Sequence, residues 1–397
     1  LMMGPLQGLK VLDVSRYIAG PYCAMLLGDL GADVVKVEKP KTGEETRGIE
    51  PLVGGDSLFV MVFNRNKKSV TLNLRDPRGQ EVLRELAAEA DILIENFRPG
   101  IMEKMGCGWE TLHKLNSRLI MASISGFGHE GPISGRPCFD AVAQAASGLM
   151  SMTGSPDGPP TLMGTTVVDH TTALHTTLGI LAALQARNTT GTGQIVRSTL
   201  MDSALSLLMT AIPAYRLLGQ EAARHGNRDR FGAPSNSYQS SDGALVQIVA
   251  GGDARFTRFI EATGLSYLSE DPRFSSNSGR RQNVDSLEQE IEPWMRARTA
   301  TEIVEIMAEH GVPCAKVVGI SEVIDDPQLR YRKQIIDVEH AQAGTIPMQG
   351  FVTRLSDTDL SIRHPIPTAG QHTTEVLRDW INYDNNEVEE LKSKEIV

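Results

Sequence analysis

One aspartate stands at a position where two different roles are open to it. Asp169 follows the apolar pair Val167-Val168 and opens a Thr-rich segment that is typical of a helix start. An aspartate there can cap the helix by accepting hydrogen bonds from its first free N–H groups. It can also be a carboxylate nucleophile that the helix N-terminus keeps ionised beside a ligand anchored elsewhere. The segment alone leaves both roles open.

Positive charge is concentrated in one stretch of an otherwise acidic chain. Between Met61 and Gln80 a single acid, Asp76, stands among five basic residues, which are Arg65, Lys67, Lys68, Arg75 and Arg78. Further cations near the ends of neighbouring predicted strands are Lys36, Lys39, Arg98 and Lys104. Ligands of open parallel sheets bind at the carboxyl ends of strands, so these cations can converge on a phosphorylated ligand. The alternative is a set of solvated surface cations.

The histidines offer acid–base chemistry without a metal-binding pattern. His129, His170 and His175 have no partner at the i, i+4 spacing, and the nearest pair is five residues apart. Ordinary polar or half-buried histidines are the alternative. The four cysteines are scattered without a CxxC pair, so neither a disulfide framework nor a structural zinc site is indicated. We therefore predict no metal and no tightly bound cofactor.

Several function classes lack the residues they need. There is no GxGxxG and no GxxxxGK[ST], so a dinucleotide or P-loop site is disfavoured, and no GxSxG supports a serine hydrolase. The 397 residues carry 39 Lys and Arg against 49 Asp and Glu, a net charge of -10, which disfavours nucleic-acid binding. No apolar run reaches the roughly 18 residues of a membrane span and no signal peptide is visible. We expect a cytoplasmic enzyme.

The elements that must position these residues alternate between strand and helix over the first 125 residues. The strand patterns are 9–14, 32–38, 69–74, 91–96 and 119–125, and helix patterns follow Gly20-Pro21 and Asp76. This alternation predicts a parallel α/β sheet of Rossmann type. The longest helix pattern is 169–187. A polar, Gly- and Asn-rich segment at 224–242 then precedes a predicted smaller α+β domain.

Short motifs follow one another along the chain from Leu6 nearly to the C-terminus. They are Leu6-x-Gly8-Leu9-Lys10-Val11-Leu12-Asp13, Ala19-Gly20-Pro21, 30–38 (LGADVVKVE), 64–69 (NRNKKS), 95–100 (ENFRPG), 125–128 (SGFG), 147–150 (SGLM), 192–194 (TGQ), 271–274 (DPRF) and 370–372 (GQH). Each motif is weak alone, but in this order and spacing they resemble those of the class III coenzyme A transferases, the formyl-CoA, carnitine and glutarate CoA-transferase group.

The resemblance implies roles for particular residues. The family's nucleophilic aspartate corresponds to Asp169, which favours the nucleophile over the cap. The family's CoA site corresponds to a set of residues near the strand ends, with Tyr17 and Ala19 beside the pantetheine arm and Asp140 nearby. The set is Tyr17, Ala19, Lys39, Leu72, Arg75, Asn96, Phe97, Arg98, Lys104 and Asp140.

The resemblance also implies an architecture. We expect a discontinuous, Rossmann-like, CoA-binding large domain of residues 1–223 and 327–397, with a small domain of residues 224–326. In this family two chains interlock, so we expect a homodimer. The substrates would be an acyl-CoA and a free carboxylic acid, and the overall pattern looks closest to the glutarate-type members, which suggests short dicarboxylic acids.

Three positions depart from family patterns. Formyl-CoA transferases have a glutamine where this chain has Ile18, and a glycine-rich loop where it has only Ala250-Gly251-Gly252-Asp253. Both differences argue against formate and oxalate as substrates. The related acyl-CoA racemases, the alternative function, need a histidine directly before the Asp140 position, where this chain has Phe139. A CoA-binding regulatory subunit without activity is a further alternative, which the retained Asp169 disfavours.

Overall fold

The computed structural model describes residues 4–397, which contain thirteen strands. In chain order these are β1 Lys10–Asp13, β2 Asp33–Glu38, β3 Leu52–Val53, β4 Asp56–Ser57, β5 Lys67–Thr71, β6 Ile92–Glu95, β7 Ile120–Ser125, β8 Ile195–Thr199, β9 Ser235–Gln239, β10 Leu245–Val249, β11 Cys314–Lys316, β12 Ile335–His340 and β13 Gly344–Gln349.

The same residues form eighteen α-helices. In chain order these are α1 Ala19–Asp29, α2 Leu58–Met61, α3 Pro77–Glu89, α4 Ile101–Lys104, α5 Trp109–Leu115, α6 Asp140–Ser147, α7 Val167–Thr190, α8 Leu200–Ser206, α9 Ala211–Leu218, α10 Asp253–Thr263, α11 Tyr267–Glu270, α12 Asn277–Gln282, α13 Val284–Arg296, α14 Ala300–Glu309, α15 Ile320–Val323, α16 Pro327–Tyr331, α17 Thr373–Ile381 and α18 Asn385–Ser393. None of the helices in residues 4–397 is long and apolar enough to cross a membrane.

The chain divides into two compact units. The first contains residues 4–149, Met163–Ile212 and Pro327–Val397, and the second contains Met150–Leu162 and Pro213–Asp326. The predicted boundaries put residues 150–162 and 213–223 in the large domain, whereas in the structure these residues group with the second unit.

A six-stranded parallel sheet forms the centre of the first unit, in the order β5-β2-β1-β6-β7-β8. Strand β1 lies between β2 and β6, with Val11 opposite both Val34 and Ile92. From β1 the chain continues through β2 to β5 at one edge, and then from β6 through β7 to β8 at the other edge, so the strand order reverses beside β1. This confirms the prediction of a mixed α/β fold with a parallel sheet.

Helices cover both faces of this sheet because the strand residues on both faces are apolar. One face carries Leu12, Val35 and Leu93, which pack with apolar residues of α3, α5, α17 and α18. The opposite face carries Val11, Val34 and Ile92, which pack with apolar residues of α1, α7 and α8. The alternation of side chains along each strand thus supplies two separate cores.

Buried ion pairs join three adjacent strands, from the last residue of β1, a residue within β2 and the first residue of β5. The Asp13 carboxylate accepts a hydrogen bond from Lys67 Nζ at 2.9 Å and lies 3.9 Å from Lys36 Nζ, and Lys36 also pairs with Glu44 at 2.8 Å. Burial alone would raise the pKa of Asp13, but these two ammonium groups and the Ser15 hydroxyl hold that pKa below its usual value. Because an unpaired buried charge is costly, the pairs fix the three strands relative to one another.

The second unit has its own core. Its antiparallel sheet, β11-β10-β9, packs against α10, α13 and α14, and the apolar residues Ile248, Phe259, Ile291 and Ile303 are buried there. Helix α14 begins with a capping box in which Thr299 and Glu302 each accept a backbone N–H.

Candidate active site

Asp169 does not cap the helix it belongs to. Helix α7 begins at Val167, two residues earlier than predicted, so Asp169 is its third residue. The N-cap position is held by Thr166, whose side chain makes no capping hydrogen bond. The interpretation of Asp169 as an N-cap is therefore wrong, and the free N–H groups of α7 must find another acceptor.

That acceptor is Asp140, the first residue of α6. Its Oδ2 accepts hydrogen bonds from the N–H groups of Val168 at 2.7 Å and Asp169 at 3.0 Å. Its Oδ1 accepts a hydrogen bond from Gln144 Nε2 at 2.5 Å, and Gln144 Oε1 in turn accepts the Met163 N–H at 3.1 Å. A carboxylate at a helix N-terminus is stabilised by these N–H groups and by the helix dipole. Asp140 thus caps α7 from outside the helix.

The Asp169 carboxylate is consequently left without a partner. Among residues 4–397 no side chain or backbone group donates a hydrogen bond to it or forms an ion pair with it. Burial raises the pKa of Asp169, and the nearby charge of Asp140 raises it further, to about 7. This carboxylate is therefore poorly solvated and unpaired, which is the state expected of a reactive group rather than a structural one.

A cavity of about 480 Å³ opens in front of Asp169. Its walls come from the segments that follow β1, β6 and β7, together with Leu200 at the end of β8. Five residues predicted from the resemblance line it beside Asp169, namely Tyr17, Ala19, Asn96, Phe97 and Arg98. The carboxyl ends of four neighbouring strands thus converge on the candidate nucleophile, as expected for a parallel sheet.

Two of these residues are held in defined positions. Asn96 accepts the Arg16 N–H at 2.8 Å and donates from Nδ2 to the Arg16 carbonyl at 2.7 Å. Tyr17 has φ 65°, an uncommon conformation for a residue other than glycine, and its ring meets the Phe139 ring edge-on with centroids 5.2 Å apart. The loop after β1 is therefore fixed against the loop after β6.

A second cleft, of about 810 Å³, adjoins the first. The other predicted residues Lys39, Leu72, Arg75 and Lys104 line it, and Phe97 lines both. Arg16 and Ile101 also belong to both walls, so the two spaces meet there. Asp140 is the one predicted residue that lines neither, because it is buried beneath α7. Together the clefts suit an elongated ligand whose charged end lies away from Asp169.

The basic residues singled out in the sequence divide into two groups. Lys36 and Lys67 are fully buried in the Asp13 network, and buried Arg65 pairs with Asp29 at 2.7 Å. For these three residues the expectation of a solvated surface cation and the expectation of a ligand contact are both wrong, because their side chains are buried and line neither cleft. Lys68 and Arg78 also pair with acids outside the two clefts. Of the basic residues singled out in the sequence, those that line the clefts are Lys39, Arg75, Arg98 and Lys104, and Lys39 also pairs with Glu45 at 2.5 Å.

Other lining residues were not predicted. Arg16 pairs with Glu45 at 2.8 Å, and its guanidinium lies 4.5 Å from the centre of the Phe97 ring. Arg136 and Cys138 line the cavity beside Asp169. Arg16 directly follows the first strand pattern, which is a usable signal, whereas nothing in the sequence around Arg136 indicates its position.

The three candidate histidines lie outside both clefts. His129 Nε2 is 2.9 Å from Ser123 Oγ, and His170 Nδ1 is 2.8 Å from the Thr166 carbonyl oxygen. Neither these two nor His175 lines the cavity of Asp169. No group of three or more His, Cys, Asp or Glu side chains in residues 4–397 is arranged to hold a metal ion. The titratable side chains that line the cavity of Asp169 are Asp169 itself, Arg16, Tyr17, Arg98, Arg136 and Cys138.

Comparison with known proteins identifies the class. Residues 6–373 match CoA-transferase family III, so the chain belongs to that family of enzymes. It is 38% identical over 394 residues to a succinyl-CoA–D-citramalate CoA-transferase of Chloroflexus aurantiacus, covering 99% of this chain and 98% of the relative. It is 35% identical to the human succinyl-CoA:glutarate CoA-transferase, covering 99% and 90%.

The fold agrees with this assignment. A crystal structure of a CAIB/BAIF family protein from Brucella suis superimposes with a TM-score of 0.85 at 34% identity, covering 95% of this chain and 99% of that one. The predictions of the family and of a CoA-transferase enzyme are confirmed.

The raised pKa of Asp169 predicts a pH-dependent stability. An unfolded aspartate ionises near pH 4, whereas Asp169 in the folded protein ionises near pH 7. Between these values the folded state holds more protons than the unfolded state, so the stability falls as pH rises. The Asp169→Asn substitution removes this loss of stability, because asparagine does not ionise. We expect the Tm of the variant to match wild type at pH 4 and to exceed it by about 2–4 °C at pH 8.

The matched control is Asp202→Asn, because Asp202 is exposed in the first turn of α8. Differential scanning calorimetry of both variants from pH 4 to 8 makes the comparison. If both differ from wild type by the same amount at every pH, the Asp169 carboxylate is not desolvated as described.

Proposed function

We propose that Asp169 is the covalent nucleophile of this CoA-transferase and that CoA passes from one acid to another through an aspartyl-CoA thioester. The observation that carries the proposal is the carboxylate itself, which is unpaired, desolvated and at the wall of a cavity large enough for a thioester. A carboxylate with a purely structural role would have a cation or an N–H donor beside it, as Asp140 does.

The proposed steps conserve atoms and charge. An Asp169 oxygen attacks the acyl-CoA carbonyl carbon, the C–S bond breaks, and an aspartyl-acyl anhydride and CoA thiolate form. The thiolate then attacks the aspartyl carbonyl, which leaves an aspartyl-CoA thioester and releases the donor acid with one oxygen taken from Asp169. An acceptor carboxylate reverses both steps. Each addition places negative charge on a carbonyl oxygen, which N–H groups in the cavity wall would have to stabilise.

We propose that CoA lies along the two adjoining clefts of the first unit. Its nucleotide phosphates would meet Lys39, Arg75 and Lys104 in the larger cleft, where Leu72 supplies apolar contact. Its pantetheine arm would pass Phe97 and reach Asp169 between Tyr17, Ala19, Asn96 and Arg98. The strand order, which reverses beside β1, supports a Rossmann-like description of this unit. In this proposal Asp140 acts through α7 and touches no CoA.

Short dicarboxylic acids are the proposed acid substrates. Relatives over nearly the whole chain are named for succinyl-CoA with citramalate, L-malate or glutarate. Arg98 and Arg136 line the cavity of Asp169, and neither has a carboxylate partner among the described residues. Guanidinium groups beside the nucleophile favour anionic substrates. Ile18, also in this wall, offers the acid a hydrocarbon surface instead of an amide.

Racemisation is less well supported. A racemase needs a second base opposite the first, and the position before Asp140 carries the Phe139 ring, which lines the same cavity. A hydrocarbon ring cannot accept a proton.

The homodimer and the cytoplasmic location belong to the proposal as well. Leu174 and Leu178 of α7 are 54% and 65% exposed in the single chain. Adjacent apolar side chains on one helix face favour a covering partner, and we propose a second, interlocked copy of this chain.

The central test of the nucleophile is Asp169→Asn. Asparagine is nearly isosteric but cannot form the anhydride, so transfer from succinyl-CoA to glutarate should fall by about 10⁴-fold while the fold persists. Wild type incubated with succinyl-CoA and then hydroxylamine should yield a modified peptide containing Asp169, detected by mass spectrometry. A variant with near-normal transfer would return Asp169 to a structural role.

The CoA site is tested with Arg75→Ala and a matched Arg78→Ala. Arg75 lines the larger cleft, whereas Arg78 pairs with Glu81 at 2.7 Å outside it. Loss of a phosphate contact should weaken CoA binding about tenfold in the first variant and reduce its salt dependence. The second should bind CoA as wild type does. Equal affinity of the two variants in calorimetric titrations would remove Arg75 from the site.

A further inference from the structure

The second unit contains a separate cavity whose walls are rich in positive charge. It has a volume of about 390 Å³, and all of its lining residues lie between positions 225 and 284. Those that bear on its chemistry are His225, Arg228, Asp229, Arg230, Ser235 and Arg281. A basic cavity is notable in a chain with a net charge of -10. Its size is in the range of small-molecule sites.

The three arginines are not equivalent. Arg228 is neutralised by Glu288 at 2.5 Å and Asp285 at 2.6 Å. The guanidinium of Arg230 donates only to the backbone carbonyl of Ala223, at 3.0 Å, so its charge is not balanced. Arg281 has no hydrogen-bond or ion-pair partner among residues 4–397. Two guanidinium groups are therefore available to a ligand.

The one acid in the wall, Asp229, offsets no more than one of these two charges. Asp229 Oδ1 accepts the N–H groups of Phe231 at 2.6 Å and Gly232 at 2.9 Å, so it is committed to its own turn. Burial lowers the pKa of His225, and the positive charges of Arg230 and Arg281 lower it further. His225 is thus neutral at pH 7 and can donate one hydrogen bond.

The same wall holds an unsatisfied hydroxyl. Ser235 is 3% exposed, and its Oγ has no hydrogen-bond partner among the described residues. Because this oxygen has almost no accessible surface, the donors that a ligand in the cavity can reach are the guanidinium groups. An oxyanion supplies several acceptor atoms at once and matches the planar donors of arginine.

We propose that this cavity is a binding site for a small oxyanion, a carboxylate or a phosphate, held by Arg230 and Arg281 with His225 as an additional donor. The site does not depend on the mechanism proposed for Asp169, because every residue in it belongs to the second unit.

The test uses the full chain, and every variant in it, including the otherwise wild-type reference, carries Asp169→Asn so that no transfer occurs. Succinyl-CoA in saturating excess then occupies the cation sites proposed for the first unit with its phosphates and its carboxylate. Binding of glutarate and of inorganic phosphate is followed by ligand-observed NMR in wild type, Arg230→Gln and Arg281→Gln. The control is Arg258→Gln, which removes an exposed arginine of the same unit whose only hydrogen bond is to the Gly311 carbonyl, at 3.5 Å.

We expect at least one of the two anions to bind wild type and the control alike, and each cavity variant to bind it about tenfold more weakly. Binding in wild type should also weaken with added sodium chloride. The preferred anion identifies the ligand as a carboxylate or a phosphate. The proposal is overturned if neither anion binds, or if the cavity variants bind as tightly as Arg258→Gln.

Discussion

The two hydrogen bonds that Asp140 accepts from the start of α7 are the interaction on which the candidate active site depends. A helix N-terminus presents N–H groups that need an acceptor, and the nearest carboxylate in the sequence is Asp169 itself. Because Asp140 satisfies the N–H groups of Val168 and Asp169 from α6, the Asp169 side chain is released from that role. The charge of Asp140 also remains close enough to raise the pKa of Asp169.

This arrangement has a cost and a benefit. Keeping the Asp169 carboxylate desolvated beside Asp140 lowers the stability of the fold progressively as pH rises from about 4 to about 7, because the folded state binds the proton of Asp169 more tightly than the unfolded chain does. The same environment leaves the Asp169 oxygens with no hydrogen-bond donor among residues 4–397 to release before they react. Functional groups often occupy environments that a purely structural residue would avoid, and Asp169 fits this description.

The clefts in front of Asp169 depend on a different balance of charge. Lys36 and Lys67 are buried and hold β1, β2 and β5 together through Asp13. Lys39 and Arg75, in the segments that follow β2 and β5, line the larger cleft. One set of cations is therefore structural, whereas the other set lines an open cleft.

This contrast explains what the sequence could and could not predict. The alternation of strands and helices predicted the parallel sheet, because strands buried on both faces are apolar throughout, whatever their order in the sheet. The same pattern did not predict β8, because Ile195–Thr199 mixes apolar and polar residues, or the hairpin of β12 and β13. The roles of Lys67 and Asp140 depend on partners 54 and 28 residues away, so no local pattern contains them. The position of Asp169 after two valines was visible, but its lack of a partner was not.

The most direct test of the central claim follows oxygen atoms through the reaction. Wild-type enzyme is given succinyl-CoA and glutarate labelled with oxygen-18 in its carboxylates, and peptides containing Asp169 and Asp140 are analysed by mass spectrometry. If Asp169 forms the anhydride with the acceptor, an acceptor oxygen remains on it after transfer. The account predicts oxygen-18 in the Asp169 peptide and none at Asp140. Complete conversion to glutaryl-CoA with an unlabelled Asp169 would contradict it.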